Sequence, residues 1–488
     1  MAIAILITQA IISSAGAETL FHMRSGRLWY RSDEKVHLDK FLDNFTALGV
    51  HVARDPALDL QIEGRCDGEQ LEECFDRLLG DLGYVIKWDV VPGPVANILR
   101  LNSIEIFKPG HKQDLEAYQG HRNHVLSSYM GRKFVANEVL LGFKGGTKRQ
   151  EVELLLGQMG GTIADCVESL GIYRIKFSPG TNVPALIKQL ERQGVVASAE
   201  PNYVTRRQAP ERIASSQGSP DFKKLNVSSR QKAYLAVLDS GLSPEQMPKD
   251  LIAGSFNALQ PDQDIADTAG HGTHMAMIAS GLVDPAGTKD SATEGVPLLA
   301  VRTFDDNGYT SNYDLMRAIE YSLDNGARVV NLSWGSEHSS SFISTAINLA
   351  QSKGAIIVAA AGNEPSGEKI YPAAYSGVIA VGASDGSGKA WSQSNYGDFL
   401  FASAPGMATL PTHDGSGAGE YGGTSIASAY VARALARYIA RNPDAPPAEV
   451  ISRFGESLST FDSSRKRGNG LLDSAALAKF LDKAEKTP

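Results

Sequence analysis

Three short phrases in this chain hold side chains that together could break an acyl bond. Asp239-Ser240-Gly241, His271-Gly272-Thr273-His274 and Gly423-Thr424-Ser425-Ile426-Ala427 supply a carboxylate, an imidazole and a hydroxyl, in that chain order. A serine hydroxyl is a weak nucleophile at neutral pH and needs a base within hydrogen-bond reach to take its proton as it attacks a carbonyl. His271 is the candidate base. Its imidazole must hold one tautomer and be stabilised once cationic, which a carboxylate on the other ring nitrogen achieves, and Asp239 fits that part. Singly, each residue has a plainer use: Asp239 in a turn before Gly241, His271 as a core or capping histidine, Ser425 as a helix N-cap. All three together, each at the end of an element, point to nucleophilic catalysis.

The elements that must position them are legible as apolar runs of strand length at 235–238, 298–304, 328–332, 355–361 and 378–381, alternating with helical stretches. That texture predicts an α/β domain, a parallel sheet with helices on both faces. Asp239 ends the first run and His271 opens a helical stretch. Ser425 opens a long Ala-rich helix, where an unsatisfied backbone N–H and the positive end of the helix dipole would face a developing oxyanion. Open α/β sheets place their sites at strand C-termini and helix N-termini of this kind.

The three phrases, in this order and on these elements, resemble the signatures of the subtilisin-like serine peptidases. The resemblance implies that His271 rather than His274 is the base. It also implies that Asn363, in the Gly362-Asn363 pair after the fourth apolar run, donates its amide to the oxyanion beside the Ser425 N–H. Ser333-Trp334-Gly335 and Ala360-Ala361-Gly362 match the family's substrate-cleft segments, whose backbone can take an extended peptide as an added strand. Trp334 is bulkier than is usual there; it either narrows the pocket for the residue before the cut or serves as a core tryptophan. Met275, Met277, Ser428, Ala429 and Arg433 depart from the family pattern without removing a catalytic group. The chemistry needs no cofactor. Many relatives bind structural calcium, but no dense run of carboxylates offers a site here: Asp284 is an isolated candidate, and Asp305-Asp306-Asn307-Gly308 reads as a turn.

Two modules precede the peptidase-like region. Residues 134–206 carry a β-α-β-β-α-β pattern of ferredoxin-like order, with Val152, Leu155, Leu156 and Met159 on one helix face and Leu186, Ile187 and Leu190 on the other helix's face. Asn137-Glu138-Val139-Leu140 and Ala199-Glu200-Pro201-Asn202-Tyr203 resemble subtilase propeptides, which implies an intramolecular inhibitor. Residues 34–110 form a small α/β module loosely resembling the short N-terminal domain of secretins and TonB-dependent receptors, which implies an envelope partner. Polar stretches at 110–133 and 205–229 read as linkers, the second open to cleavage. The expected layout is thus a signal peptide at 1–17, the small module at 34–110, a propeptide at 134–206, a cleavable linker at 207–229 and a peptidase domain at 230–485. The expected function is an autoprocessed serine endopeptidase acting on polypeptides. The rival is an envelope-associated binding or scaffold protein that retains a peptidase fold.

The 488-residue chain is 42% hydrophobic and 21% charged, as soluble globular proteins are. A net charge of -8 and no basic cluster exclude a nucleic-acid partner. The apolar start followed by Ala15-Gly16-Ala17 has the form of a cleavable export signal, although no Lys or Arg precedes it. This predicts a periplasmic, secreted or envelope-associated protein. Of three cysteines, Cys66 and Cys74 are close enough to bridge in an oxidising compartment or to stay as two thiols, and Cys166 is left over.

Overall fold

The computed structural model describes residues 20–482 apart from 25–26, 48–49, 56–57, 92–97, 110–115, 119–125, 130–131, 179, 208–210, 217–219, 228–233, 289, 291, 307, 413–416 and 462–466. The export-signal residues 1–17 lie outside that set. The chain forms two units, one ending at Leu126 and one running from Ser127.

The first unit comprises β1 (Leu20–Arg24), β2 (Arg27–His37), α1 (Leu38–Ala47), β3 (His51–Arg54), β4 (Gln61–Gln70), α2 (Leu71–Leu79), β5 (Gly83–Val91), β6 (Ile98–Phe107) and β7 (Glu116–Tyr118). Its sheets run β1-β2-β4 and β5-β6-β3-β7. Leu38, Phe41, Leu42 and Phe45 on α1, and Leu71, Cys74, Phe75 and Leu78 on α2, recur at helical spacing and share one core with the strands. Cys66 and Cys74 are joined by a disulfide inside that core, and Cys166 is free. The stretch at 110–133 is not simply a linker, because β7 pairs with β3 and β8 (Leu126–Tyr129) pairs with the strand that follows it. Such short polar strands carry no apolar alternation to reveal them.

Next come β9 (Arg132–Phe143), α3 (Arg149–Met159), β10 (Thr162–Val167), β11 (Ile172–Lys176), α4 (Val183–Leu190) and β12 (Val196–Arg206). Their order across the sheet, β10-β11-β9-β12, is the ferredoxin-like arrangement. Val139 and Leu141 point to the module's own helices, joining Val152, Leu155, Leu156 and Leu190. Leu140 and Ile172 point the other way, into the core of the larger domain, as the two-residue period of a strand requires.

That domain contains β13 (Glu211–Ser216), β14 (Leu235–Asp239), β15 (Ile252–Asn257), α5 (His271–Ser280), β16 (Leu298–Arg302), β17 (Tyr309–Ser311), α6 (Asn312–Asp324), β18 (Val329–Leu332), α7 (Ser341–Ser352), β19 (Ile356–Ala360), β20 (Ile379–Ser384), β21 (Ala402–Pro405), β22 (Met407–Pro411), β23 (Ala418–Gly422), α8 (Thr424–Arg441), α9 (Pro447–Ser457) and α10 (Ser474–Leu481). Seven strands form a parallel sheet in the order β15-β16-β14-β18-β19-β20-β21. Successive strand residues feed opposite layers. Leu235, Val237, Ile356 and Val358 join the core of α5 and α8, whereas Ala236, Leu238, Ile357 and Ala359 join that of α6 and α7. The 205–229 stretch is also partly laddered: β13 pairs antiparallel with β23, and Lys223 donates its N–H to Leu282 O.

Candidate active site

Asp239 is the last residue of β14, an interior strand of the sheet between β16 and β18, and His271 is the first residue of α5. Hydrogen bonds fix the carboxylate. Its Oδ1 accepts from the Ser240 N–H at 2.8 Å and lies 2.6 Å from His271 Nδ1, with both side chains almost wholly buried. Nδ1 therefore carries the proton, and Nε2 is left as the basic nitrogen. Gly272 exists for closeness: a Cβ there would run into Gly241 O, so only glycine lets α5 start against the β14 turn.

Asp267 is a supporting residue that the sequence did not reveal. Its Oδ1 accepts from the Ser240 hydroxyl and the Ala269 and Gly270 N–H groups, and its Oδ2 accepts from the Thr273 N–H and hydroxyl. Burial pushes this carboxyl up, but the hydrogen bonds from Thr273, Ser240 and Gly270 outweigh it and hold the group below the ordinary Asp value. Asp267 thereby ties the turn after Asp239 to the loop that presents His271. His274 lies one helical turn on, its Nε2 donating to Pro411 O at 2.7 Å. Burial depresses its pKa to about 4, so it is neutral at pH 7 and built into the wall.

Ser425 is the second residue of α8, directly after Gly423-Thr424. Its hydroxyl donates to Ser333 O at 3.2 Å, and His271 Nε2 has no hydrogen-bond partner among the described residues. The sequence-predicted pair of nucleophile and base is thus not hydrogen-bonded in this state, although catalytic hydrogen bonds commonly tighten only with substrate in place. Asn363 Oδ1 accepts from both the N–H and the hydroxyl of Thr424, at 2.9 Å each. That leaves the Nδ2 donor for the cleft, since the amide's acceptor end is already spoken for.

One pocket adjoins Ser425, lined among others by Ser333, Trp334, Gly335, Ala360, Gly362 and Asn363. Ala361 does not line it: that side chain is buried in the sheet core. Trp334 lines the pocket and packs edge-on against Phe304 at 6.0 Å. Ile370 is the wall residue the sequence did not single out. A Cβ on Gly335 would collide with its Cγ2, and one on Gly362 would sit 3.4 Å from its Cγ1, so this side chain lies between the two cleft segments.

The residues that depart from the family pattern have structural places. Met275 and Met277 are buried in the α5–α8 core. The Ser428 hydroxyl donates to Ser425 O. Arg433, almost fully buried, bridges Asp284 and Asp290 at 2.6 Å each, with Arg437 on Asp290 and Lys223 on Asp284. The carboxylate considered for calcium is thus engaged by cationic side chains. Asp305 Oδ1 accepts from the Tyr309 N–H as a turn residue does, and Asn307 lies outside the described residues. Among the described residues no group of three His, Cys, Asp or Glu could hold a metal ion.

The ferredoxin-like module is docked on α6 and α7. Glu200 accepts from the Ser340 hydroxyl and the Ser341 N–H at 2.8 Å each, and from the Ser341 hydroxyl, at the α7 N-terminus. Asn202 Oδ1 accepts from the Tyr313 N–H at the α6 N-terminus while its Nδ2 donates to Glu138. Both bonds satisfy donors that the helices cannot satisfy themselves. Asp165–Arg317 and Ser169–Glu320 contacts flank them.

Comparison with known proteins agrees with this architecture. The model of the subtilase family matches residues 230–470, and that of the fervidolysin N-terminal prodomain matches residues 122–202. The chain is 32% identical over 311 residues to the thermophilic serine proteinase of Bacillus sp. (strain AK1), covering 61% of this chain and 77% of that protein. It is 33% identical over 242 residues to Subtilisin Savinase of Lederbergia lenta, covering 50% of this chain and 89% of that one. The crystal structure of fervidolysin from Fervidobacterium pennivorans superposes with a TM-score of 0.57 at 20% identity, over 74% of this chain and 63% of that one, a likeness of fold. The chain belongs to the subtilase family of serine proteases and carries a fervidolysin-type N-terminal prodomain.

Proposed function

We propose that this protease is an autoprocessed endopeptidase whose reaction is carried by Asp239, His271, Ser425 and Asn363. The buried 2.6 Å contact between His271 Nδ1 and Asp239 carries this reading, because it holds the imidazole in the tautomer that leaves Nε2 as the base. Ser425 Oγ exchanges Ser333 O for His271 Nε2 and attacks the scissile carbonyl as His271 takes the proton. The Asn363 Nδ2 and the Ser425 N–H, at the positive end of α8, hold the oxyanion. His271 then returns the proton to the leaving amine, and water hydrolyses the ester by the same route.

Ser333-Trp334-Gly335 and Ala360-Gly362 bind the acyl side of a polypeptide substrate as an added strand. The prodomain is the intramolecular inhibitor, supported by its docking through Glu200 and Asn202 and by the β12–β17 ladder. Export is supported by the Cys66–Cys74 disulfide, a bond that persists in oxidising compartments. An envelope partner for residues 34–110 has only their loose sequence resemblance behind it.

The test is incubation of the full chain and of Ser425→Ala, followed by intact mass and casein hydrolysis. The expected result is a shortened, active wild type and an inert, full-length variant. Two full-length, inactive proteins would end the proposal.

A further inference from the structure

The pocket beside Ser425 carries two carboxylates that the reaction does not use. Trp334 and Ile370 give it apolar walls, and two exposed glutamates, Glu337 and Glu364, line it as well. Each continues a cleft segment: Glu337 comes two residues after Gly335, and Glu364 follows Asn363. No Lys, Arg or His is among the described residues that line this pocket. A substrate side chain entering it therefore meets an indole and an aliphatic wall along its stem and carboxylates as its ionic partners. Lys and Arg suit such a place, because their methylene stems pack on apolar surface while the charged head stays near water. A guanidinium can in addition grip a carboxylate through two parallel hydrogen bonds.

A second observation on the same domain points the same way. β12 lies on β17 as an added strand, with Arg206 opposite Tyr309 and the Arg207 N–H donating to Gly308 O at 2.7 Å. The Arg206 guanidinium stands 5.5 Å from the centre of the Tyr309 ring, and Arg207 is buried. The connection from β16 to β17 contains Phe304, which packs on Trp334 of the pocket wall. The catalytic domain thus already holds two consecutive cationic residues of an extended chain, bound through its backbone as a substrate strand would be.

Resting on the endopeptidase reading above, we infer that Glu337 and Glu364 make the Ser425 pocket select polypeptides with Lys or Arg immediately before the cut. Exposed ion pairs are individually weak, but here two carboxylates attract one cation and both repel an acidic side chain. The consequence is a preference of about tenfold for Lys over an uncharged side chain of similar length, and of about a hundredfold for Lys over Glu.

The test is kcat/KM of the active wild-type protein on a set of peptide anilides that differ only in the residue before the cut: Lys, norleucine or Glu. At low salt the order Lys, norleucine, Glu is expected, with the ratios given above. Both ratios should shrink toward one in 1 M NaCl, where screening acts within about 3 Å. The double variant Glu337→Gln, Glu364→Gln should bring the Lys-to-norleucine ratio to about one, and because the readout is a ratio of two substrates on the same sample, a change in the amount of folded enzyme does not alter it. A wild-type ratio of one or less at low salt overturns the inference while leaving the endopeptidase reading standing. A tenfold ratio that the double variant keeps overturns the assignment to these two residues. Failure to hydrolyse any of the three peptides, or casein, overturns both readings.

Discussion

Replacing Glu200 by Gln isolates what the prodomain gains from one contact with the protease. The carboxylate accepts three hydrogen bonds at the N-terminus of α7, two of them at 2.8 Å. A hydrogen bond to a charged group contributes about 1.5–3 kcal/mol, and a negative charge in a helix's first turn adds about 0.3–1 kcal/mol. Glutamine keeps one acceptor oxygen, loses the charge and turns an NH2 toward a serine hydroxyl that also caps α7 by accepting from the Ile343 N–H. The net loss comes to about 2 kcal/mol, or about a 30-fold weaker prodomain complex. After self-cleavage the complex is non-covalent, so its dissociation constant can be read from the peptidase activity recovered on serial dilution. Glu200→Ala, which leaves all three donors without this partner, should weaken the complex further. If the Glu200→Gln constant stays within threefold of wild type, the docking energy resides in the apolar face around Leu140, Ile172 and Phe342, and the helix-capping argument is wrong.

Four further outcomes are expected. Asn363→Ala should lower kcat by about 10²- to 10³-fold with little change in KM, measured on a chromogenic peptide, because one oxyanion donor is lost. Ile370→Ala should raise kcat/KM for a large aromatic residue before the cut relative to alanine by about tenfold, since it empties the space between Gly335 and Gly362. Arg433→Ala strands Asp284 and Asp290 with one cation each, so the peptidase domain should lose about 3 kcal/mol, a fall of about 6–12 °C in calorimetric Tm. His274 is held at about 4 in the fold against about 6.5 when unfolded, so the unfolded chain binds its proton more readily. Its stabilising contribution is complete above pH 6.5 and declines by about 3 kcal/mol as pH falls to 4. His274→Phe should flatten denaturant-measured stability by that amount across this window.

The long, apolar elements were legible in the sequence because burial on both faces writes itself as unbroken runs: β14, β18 and β19 could be read from 235–238, 328–332 and 355–361. The prodomain's helices showed in their spacing, and Asp239, His271 and Ser425 showed as phrases with chemistry in common. Less legible were β7 and β13, held by hydrogen bonds to strands far away in the chain, and β8, a short polar strand held by the one that follows it, rather than by their own side chains. Asp267 and Ile370 sit in loops without periodicity, and their roles depend on what faces them. Ala361 looked like cleft and is core, because one residue's shift along a strand exchanges the two faces.

The sequence by itself therefore determined which groups can do the chemistry and in what order the modules come, since residue type and apolar period are local properties. Only the tertiary structure decided that Nδ1 of His271 meets Asp239, that Arg433 answers Asp284 and Asp290, and that β12 pairs with β17 and β13 with β23. Those are meetings between residues far apart in the chain. They exist because burying both faces of one sheet leaves each loop a single place to go.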